Sequence, residues 1–421
     1  MDQSPSVLIV SLNYAPESTG IAPYSTGLAV ELARRGHRVR AITGFAHYPQ
    51  WSFLDHSTRR SEMSDIDVVR VVRRRHSLPS KPTGLSRAWS ELSFGFAAAR
   101  TRFGHPGSVV LVSPALISSA IVLVKARLLM RVPVVMWVQD LYSLGLRELG
   151  ERRPSVLEKA VSALEKWCLR FASHVVVIHE RFRDTVVDEF GLDPSSVTVV
   201  RNWSHLSPAS SGDRLLERAA LGWQEGDFVV LHAGNMGVKQ GLENVVEASR
   251  LAASEGSAVK FVLLGDGNQR LKLAELAADI PALEMIGSLP DDQFGKALRA
   301  ADVLLVNERR GVTGMAVPSK LTSYFSTGLP VIAATDSGSV TESEVVLAGA
   351  GLVVPAGDPT ALLRAAERLA NDPVEAAEMG NSGMRFRSTR LTATASFDIF
   401  TQLLKRLAGR RTSAKNESGN G

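Results

Sequence analysis

The sequence predicts an α/β protein made of two Rossmann-like, doubly wound domains that face each other across a cleft. Two observations lead to this prediction. A buried strand, a turn-rich loop and a helix open the chain, and the same succession begins again after about residue 205. Between the two halves, residues 204–212 are small, polar and proline-containing, which is typical of an interdomain linker. Ligands of such domains bind at the carboxyl ends of the strands.

The first domain begins with residues 6–12, a short apolar run rich in β-branched residues, as expected for a strand buried on both faces of a parallel sheet. Residues 13–20 are dense in turn formers and predict a loop. Apolar residues then recur at helical spacing until Gly36, a residue type that ends helices, and residues 39–43 predict a second strand. We assign residues 1–205 to this domain.

The second domain, residues 206–390, begins with a strand predicted at residues 228–233. A glycine-rich turn at residues 234–241 follows it and precedes a helix. Apolar runs and helical patterns continue to alternate, which predicts a mostly parallel sheet. The later strands are predicted at residues 261–264, 283–286, 303–306, 331–334 and 351–354.

The C-terminal segment divides into two predicted parts. Residues 391–409 have helical periodicity, and we predict a helix that packs back on the first domain. Residues 410–421 contain no apolar anchor, so we expect them to be disordered.

Composition excludes several classes of protein. At 45% hydrophobic and 22% charged residues, the 421-residue chain is not a disordered, collagen-like or disulfide-scaffold protein. Its single cysteine, Cys168, cannot form an internal disulfide. We find no secretory signal and no uncharged apolar stretch long enough for a membrane span, so we predict a cytoplasmic location. We predict no nucleic-acid partner.

The charge is unevenly distributed, with a net charge of +8 on the first 205 residues and −3 on the rest. This asymmetry indicates an anionic partner for the first domain, against the alternative of a solvated arginine-rich surface. Residues 59–102 hold ten cationic residues, among them the arginines at 73–75, and Trp89, Leu92 and Phe96 recur there at helical spacing. Such a pattern predicts peripheral docking on the inner face of an anionic membrane; the alternative places the apolar residues in the core.

Six short motifs occur in a fixed order and together resemble a known family. They are NYAPE with TG at residues 13–20, VQDL at 138–141, AGNMG with QGLE at 233–243, LGDG at 264–267, VPSKL at 317–321 and GLPVI at 328–332. The set is similar to retaining glycosyltransferase family 4, particularly its colanic-acid and O-antigen branch. The resemblance implies the GT-B architecture, with a nucleotide-sugar donor on the second domain and the acceptor mainly on the first.

The activity that the resemblance implies is sugar transfer from a nucleoside-diphosphate sugar to a saccharide or lipid-linked acceptor, with retention of anomeric configuration, in cell-surface polysaccharide or glycoconjugate biosynthesis. The nucleotide sugar is then a co-substrate, and no cofactor is expected. Two alternatives stay open: a non-transferring sugar-nucleotide epimerase of the same architecture, and a non-catalytic sugar-nucleotide or carbohydrate-binding protein.

A transferase of this kind must stabilise a diphosphate as it leaves, and electrostatic stabilisation is usually the largest contribution. The sequence contains no metal-ligand motif, so we predict a metal-independent site in which amides and cations balance the charge. Gly20, Gly234 and Gly237 lie in turns ahead of predicted helices, where exposed amides bind anions. The alternative is that these glycines serve only the turn geometry.

The cations that we select are Lys239 and Lys320, because a lysine in a turn or at a helix start of an arginine-biased chain is less easily explained as surface filler. Lys320 follows Ser319 at the start of a predicted helix, so both residues are assigned to donor binding. The alternative for each lysine is a solvated surface position.

The chain departs from the family pattern in the same region. The family commonly has an Arg and a Lys in the glycine-rich turn, where this chain has Asn235 and Gln240, and its two motif glutamates fall on Met315 and Ser323. We keep Asn235 as a donor-binding residue. Glu342 matches a downstream family glutamate and is assigned to the donor, with helix capping as the alternative.

The acceptor residues are predicted in the first domain. Asp140 ends a strand on the side of the expected cleft, where a carboxylate would orient or deprotonate the acceptor hydroxyl; the alternative is a strand-end residue satisfied by local amides. Asp140 and Lys320 are therefore our candidate catalytic residues. His47 and Trp51 lie in the loop after the second strand and are predicted to contact acceptor sugar, with ordinary loop packing as the alternative.

Overall fold

The computed structural model describes residues 6–17, 20–48, 51–54, 58–79, 84–113, 115–149, 156–203, 213–312 and 320–417. The chain divides into two compact units: Met1–Arg147, Glu151–Asn202 and Ala393–Gly421 form the first, and Glu148–Gly150 with Trp203–Thr392 form the second. Each unit is a doubly wound α/β structure, so the predicted fold class is confirmed.

The first unit contains an eight-stranded sheet with the order β3-β4-β2-β1-β5-β6-β7-β8. All neighbours are parallel except the edge pair β3–β4. The strands are β1 (Val7–Val10), β2 (Val39–Gly44), β3 (Ser61–Ile66), β4 (Val69–Arg74), β5 (Ser108–Ser113), β6 (Val134–Val138), β7 (His174–Val177) and β8 (Val197–Val199).

Helices cover this sheet, which explains why its inner strands are continuous apolar runs. They are α1 (Ala22–Arg34), α2 (Gly84–Arg100), α3 (Leu116–Val124), α4 (Tyr142–Leu149), α5 (Val156–Phe171) and α6 (Glu180–Asp184). Every residue of β1, β5, β6 and β7 is buried. Because chain order reverses between β1 and β5, the carboxyl ends of these strands are where a ligand crevice forms.

The basic surface predicted from residues 73–75 is wrong for Arg73. This residue lies on β4, between β2 and β3, and its side chain is buried. Its guanidinium donates hydrogen bonds to the carbonyls of Ala15 and Gly44. Successive side chains of a strand point to opposite faces of the sheet, so Arg73 and Arg74, both on this internal strand, cannot share one solvent-exposed surface.

The second unit contains a six-stranded parallel sheet with the order β11-β10-β9-β12-β13-β14. All six strands predicted there are confirmed, with small differences at their ends. They are β9 (Phe228–Ala233), β10 (Val259–Leu264), β11 (Leu283–Ile286), β12 (Val303–Asn307), β13 (Val331–Ala334) and β14 (Gly351–Val354).

The helices of the second unit enclose its core on both sides of this sheet. They are α7 (Arg214–Ala220), α8 (Glu243–Glu255), α9 (Arg270–Ala277), α10 (Asp291–Ala300), α11 (Lys320–Tyr324), α12 (Val340–Ala348), α13 (Pro359–Asn371) and α14 (Pro373–Arg390). The predicted linker at residues 204–212 lies outside the described residues.

The C-terminal helix α15 (Ala393–Glu417) belongs to the first unit. Phe400 is fully buried, and its ring meets that of Trp137 on β6 at a centroid distance of 4.9 Å. Arg35, which directly follows α1, forms an ion pair with Asp398. The helix continues through Glu417, whereas the sequence predicts disorder from residue 410. Once a helix is nucleated, each further residue adds one hydrogen bond, and Arg, Ala, Lys and Glu favour its extension.

Among the helices formed by the described residues, none combines the length and the apolar character that crossing a bilayer requires.

Candidate functional site

The carboxyl ends of β9 and β12 mark the point where chain order reverses in the second sheet. Open α/β sheets bind ligands at such a point. The glycine-rich turn predicted from the sequence follows β9, and Glu308 directly follows β12. The candidate donor site is therefore built by these two loops and by the start of α11.

The glycine-rich turn is fixed by the loop that follows β10. The amide of Gly234 donates to the carbonyl of Leu264 at 2.8 Å, and the amide of Met236 donates to that of Asp266 at 2.8 Å. Gly265 has a φ of +134°, and a β-carbon added to it would lie 2.0 Å from the Gly234 carbonyl oxygen. The two loops therefore pack backbone against backbone, which only glycine at position 265 permits.

We expect Gly265→Ala to destabilise the second unit by about 2–5 kcal/mol, because the new methyl group combines a strained backbone with a steric clash. The measurement is the urea concentration at the unfolding midpoint. Gly287→Ala is the matched control, since nothing lies within 4 Å of the β-carbon that it adds. An unchanged midpoint in Gly265→Ala would show that the two loops separate readily.

The amides of Gly234 and Gly237 already donate hydrogen bonds within the protein, whereas the sequence predicts amides that are exposed to an anion. The first amide is engaged with Leu264, and the second donates to the Gln240 side-chain oxygen at 3.0 Å. Sheet pairing and a local side-chain cap take up both donors, so neither is left for phosphate. Asn235, on the same turn, is exposed.

A buried pair of asparagines holds the next part of the turn. The Asn307 amide nitrogen at the end of β12 donates to the carbonyls of Gln240 and Gly241, at 2.7 and 3.0 Å. Its side-chain oxygen accepts from Asn244 of α8 at 2.9 Å. Lys239, which is half-buried, has its carbonyl bonded to the Arg309 amide at 2.8 Å. The loop after β12 thus sets the position of Lys239.

Lys320 brings a cation to the first residue of the glycine-rich turn. Its ammonium lies 3.3 Å from Nε2 of His232, and a β-carbon added to Gly234 would lie 3.9 Å from Nζ. Burial lowers the pKa of Lys320 to about 8, while the charge of Glu308 acts in the opposite direction. Burial, followed by the charge of Lys320, lowers the pKa of His232 well below its usual value. A neutral imidazole thus contacts a charged lysine near pH 7.

Two acidic residues at this sheet edge have different surroundings. Glu342 accepts a hydrogen bond from the Gly338 amide, and its own amide donates to Ser339 at 3.0 Å, so it caps α12 as the alternative prediction held. Glu308 was not predicted; it accepts from the hydroxyls of Thr335 and Thr341 at 2.5 and 2.7 Å. Its position immediately after β12 is the sequence signal that identifies it.

Some predicted donor positions are not described. Ser319 and Met315 lie outside the described residues, so the donor assignment of Ser319 stays a prediction. Ser323, at the second departure from the family pattern, is buried in α11.

Asp140 lies after β6 in the first unit and is half-buried. Burial, partly offset by Arg87, raises the pKa of Tyr48, and Asp140 raises it further. Arg87 donates to the Tyr142 hydroxyl at 3.1 Å, and that hydroxyl donates to Glu91 at 3.0 Å. Burial lowers the pKa of Arg87, but Tyr142, Glu91 and Asp140 outweigh it and raise the value. The carboxylate of Asp140, which is the candidate for orienting the acceptor sugar, therefore lies near Arg87, a partly exposed arginine.

The loop that carries Asp140 is firmly held. Gln139 and Asn202 exchange side-chain amide hydrogen bonds at 2.8 and 3.3 Å. The buried carboxylate of Glu165 accepts from the amides of Tyr142 and Ser143 at 2.7 and 3.0 Å. These contacts fix the backbone on both sides of Asp140.

His47 is buried, with 1% of its surface exposed, and its ring packs against His76 at a centroid distance of 4.9 Å. This placement favours the packing alternative. Glu17, which was not predicted although it lies in the NYAPE motif, accepts from the amides of His47 and Tyr48 at 2.7 and 2.9 Å. Trp51 is half-buried and meets His47 edge-on at 5.9 Å.

Gly20 has a φ of +64°, which favours glycine, and a β-carbon added to it would lie 3.2 Å from the Tyr48 ring. It precedes α1 as expected, and its predicted proximity to phosphate stays a prediction.

Within the part of the chain that the structure describes, no three His, Cys, Asp or Glu side chains are grouped as metal ligands.

Comparison with known proteins finds a matching family model in each unit. Residues 19–203 match the family model described as Glycosyl transferase 4-like domain, and residues 213–386 match that described as Glycosyl transferases group 1. The chain is 27% identical over 334 residues to the "Putative colanic acid biosynthesis glycosyl transferase WcaI" of Escherichia coli K12. The matched region covers 76% of this chain and 81% of that protein.

The same fold occurs in solved structures of other proteins. Sucrose-phosphate synthase from Thermosynechococcus elongatus superposes with a TM-score of 0.77 and 17% identity over 96% of this chain and 100% of that one. Anabaena Alr3699/HepE in complex with UDP-glucose gives a TM-score of 0.69 and 16% identity, covering 96% and 100%.

Proposed function

This chain is a glycosyltransferase of GT-B fold, built from a 4-like domain and a group 1 domain, and from that premise we propose the reaction that it catalyses. It transfers a sugar from a nucleoside-diphosphate sugar to a saccharide or lipid-linked saccharide, with retention of anomeric configuration, in cell-surface polysaccharide biosynthesis. The name of the Escherichia coli relative and the UDP-glucose bound to the Anabaena protein support this proposal.

The single observation that carries the proposal is the position of the Lys320 ammonium. It lies beside Gly234, where the chain order reverses in the second sheet. A leaving nucleoside diphosphate develops negative charge, and a cation already in place stabilises that charge without reorganisation. We propose that Lys320 supplies this charge and that transfer requires no metal ion. On the first unit, Asp140 orients the acceptor hydroxyl.

The test is to incubate the purified protein with a panel of nucleoside-diphosphate sugars and to measure nucleoside diphosphate release, with and without saccharide acceptors. Release that depends on an acceptor supports transfer, and NMR of the product anomeric proton tests retention. Activity that persists in EDTA supports the metal-independent step. A changed sugar without transfer would identify an epimerase, and binding without turnover would identify a binding protein.

The pH dependence follows from Lys320. Its pKa of about 8 applies to the unbound protein, so the ammonium is charged below this value and neutral above it. We expect kcat/KM for the donor to fall as pH rises through about 8, since this ratio reports ionisations of the free enzyme. Lys320→Arg keeps its charge over the whole range and is expected to remove this limb of the profile. A limb that is retained in that variant would assign it to another group.

We further propose that α2 docks on the inner face of an anionic membrane, where a lipid-linked acceptor is presented. Leu85, one turn before the predicted apolar stripe, is 84% exposed. Within the stripe, Trp89 and Phe96 are 62% and 46% exposed and therefore face solvent. Leu92, between them, is half-buried, and the opposite side of α2 packs on α3. Exposed Arg100 ends the same helix and adds positive charge. Apolar residues beside arginine suit a peripheral contact with anionic lipid.

The double variant Trp89→Ser/Phe96→Ser is expected to weaken sedimentation with phosphatidylglycerol vesicles by about tenfold or more, since each large side chain loses its burial in lipid. Binding by the unmodified protein should also weaken with added salt. The matched control, Val346→Ser/Leu347→Ser, removes two exposed apolar residues from the second unit. Equal sedimentation of both double variants would contradict the docking surface.

A further inference from the structure

His232 is a buried group of the donor site to which the sequence motifs assign no role. It lies one residue before the end of β9, its side chain is fully buried, and Nε2 is 3.3 Å from Lys320 Nζ. The contact joins residues that are 88 positions apart in the chain. It connects β9, one of the two central strands of the second sheet, to the cation proposed for the diphosphate.

The direction of this hydrogen bond is fixed by chemistry. An ammonium has three donors and no acceptor, so Nε2 of His232 must accept, and the proton of the neutral ring must lie on Nδ1. Burial and the charge of Lys320 both disfavour imidazolium, which keeps Nε2 available as an acceptor.

Among the described residues, His232 and Glu308 act on the Lys320 ammonium from neighbouring elements. His232 approaches it from β9, and the charge of Glu308 acts on it from the loop after β12. The Glu308 carboxylate also accepts from Thr335 and Thr341, so those hydroxyls hold it in place. The imidazole is the neutral partner, and it binds the ammonium without cancelling the charge that a phosphate would meet.

We propose that His232 is a positioning residue, which holds the Lys320 ammonium against Gly234 in the place where the terminal phosphate of the nucleoside diphosphate binds. The identity of that ligand rests on the proposed function, whereas the contact between His232 and Lys320 does not. Loss of the hydrogen-bond acceptor of His232 should therefore weaken recognition of the diphosphate through Lys320, and should leave recognition of the nucleoside unchanged.

The first experiment needs no nucleotide. Competitive acetylation with acetic anhydride, followed by mass spectrometry, gives the reactivity of the Lys320 amine as a function of pH. The midpoint of this curve is the pH at which half of the amine is unprotonated. His232→Leu and His232→Phe both remove the acceptor, and we expect the midpoint to fall by about one pH unit because a hydrogen bond to the charged form is lost. His232→Gln restores an acceptor and should return the midpoint towards that of the unmodified protein. A midpoint that is unchanged in a folded acceptor-free variant overturns the proposal.

The second experiment measures binding of UDP, UMP and uridine. We expect the preference for UDP over UMP to fall about tenfold in His232→Leu, as for loss of one charged contact, with uridine affinity unchanged. In Lys320→Met the same preference should already be lost, and adding His232→Leu should change it no further, which is the non-additivity expected of residues acting as one unit. Additive effects, or an unchanged preference in His232→Leu, overturn the proposal.

The two experiments separate the inference from the function on which it rests. An unmodified protein that binds neither UDP nor the diphosphates of other nucleosides overturns the proposed function. The acetylation midpoint, which is read on the protein alone, still decides whether His232 holds Lys320.

Discussion

Lys320→Ala is expected to lower kcat/KM for the donor by about 10²–10³-fold, the scale of removing one donor to a developing oxyanion. The ammonium is already held beside Gly234, so its stabilising effect needs no rearrangement when the diphosphate leaves. Nucleoside diphosphate release with acceptor present measures the loss. The loss should appear in kcat as well as in KM, because the charge on the leaving group grows in the transition state.

The control for this variant is Lys272→Ala. Lys272 is an exposed lysine of α9 in the same unit, paired with Glu243 at 2.7 Å, and its removal should leave turnover near normal. Near-normal turnover of Lys320→Ala itself, or strict dependence of the unmodified protein on a divalent ion, would exclude Lys320 as the source of the stabilising charge.

Asp140→Asn is expected to reduce transfer by about 10²–10⁴-fold while donor affinity is maintained, as for loss of a group that moves or orients a proton. The substitution keeps the shape of the side chain and removes its charge, and the neighbouring loop is held independently by Gln139 and Glu165. Donor affinity is measured by calorimetry, and transfer by product formation at saturating donor.

Asp65→Asn is the matched control, because Asp65 is an exposed carboxylate on the edge strand β3 of the same unit. Its expected effect on both measurements is negligible. The role of Asp140 in transfer would be refuted if Asp140→Asn lost donor binding but kept its rate of transfer per bound donor.

The strands could be predicted wherever burial on both faces leaves a continuous apolar run. β9 and β13 are examples, since nearly every residue of each is buried. The edge strand β3 was not predicted because its sequence, SEMSDI, contains little apolar surface, and its residues alternate between exposed and half-buried positions. Its pairing with β4 supplies the backbone hydrogen bonds that define it, and a partner strand is not visible in a local pattern.

The site was predicted only in part, for a related reason. Lys320 was found from its own surroundings in the sequence, whereas His232 and Asn307 matter through contacts with residues more than sixty positions away. The residues of the glycine-rich turn by themselves predict free amides at Gly234 and Gly237. Which amides stay available depends on how β9 pairs with β10 and on where the Gln240 side chain points.

The first unit is assembled from both ends of the chain, and this has a consequence for its synthesis. Phe400 and Leu404 of α15 are fully buried in that unit, beside Trp137. The ribosome must make the 190 residues from Trp203 to Thr392 before that helix begins to emerge, which takes about 10–40 s at ordinary elongation rates. During this interval the face of the sheet around Trp137 lacks its cover. The nascent first unit therefore waits, with an apolar surface open to chaperones, until the second unit has been translated.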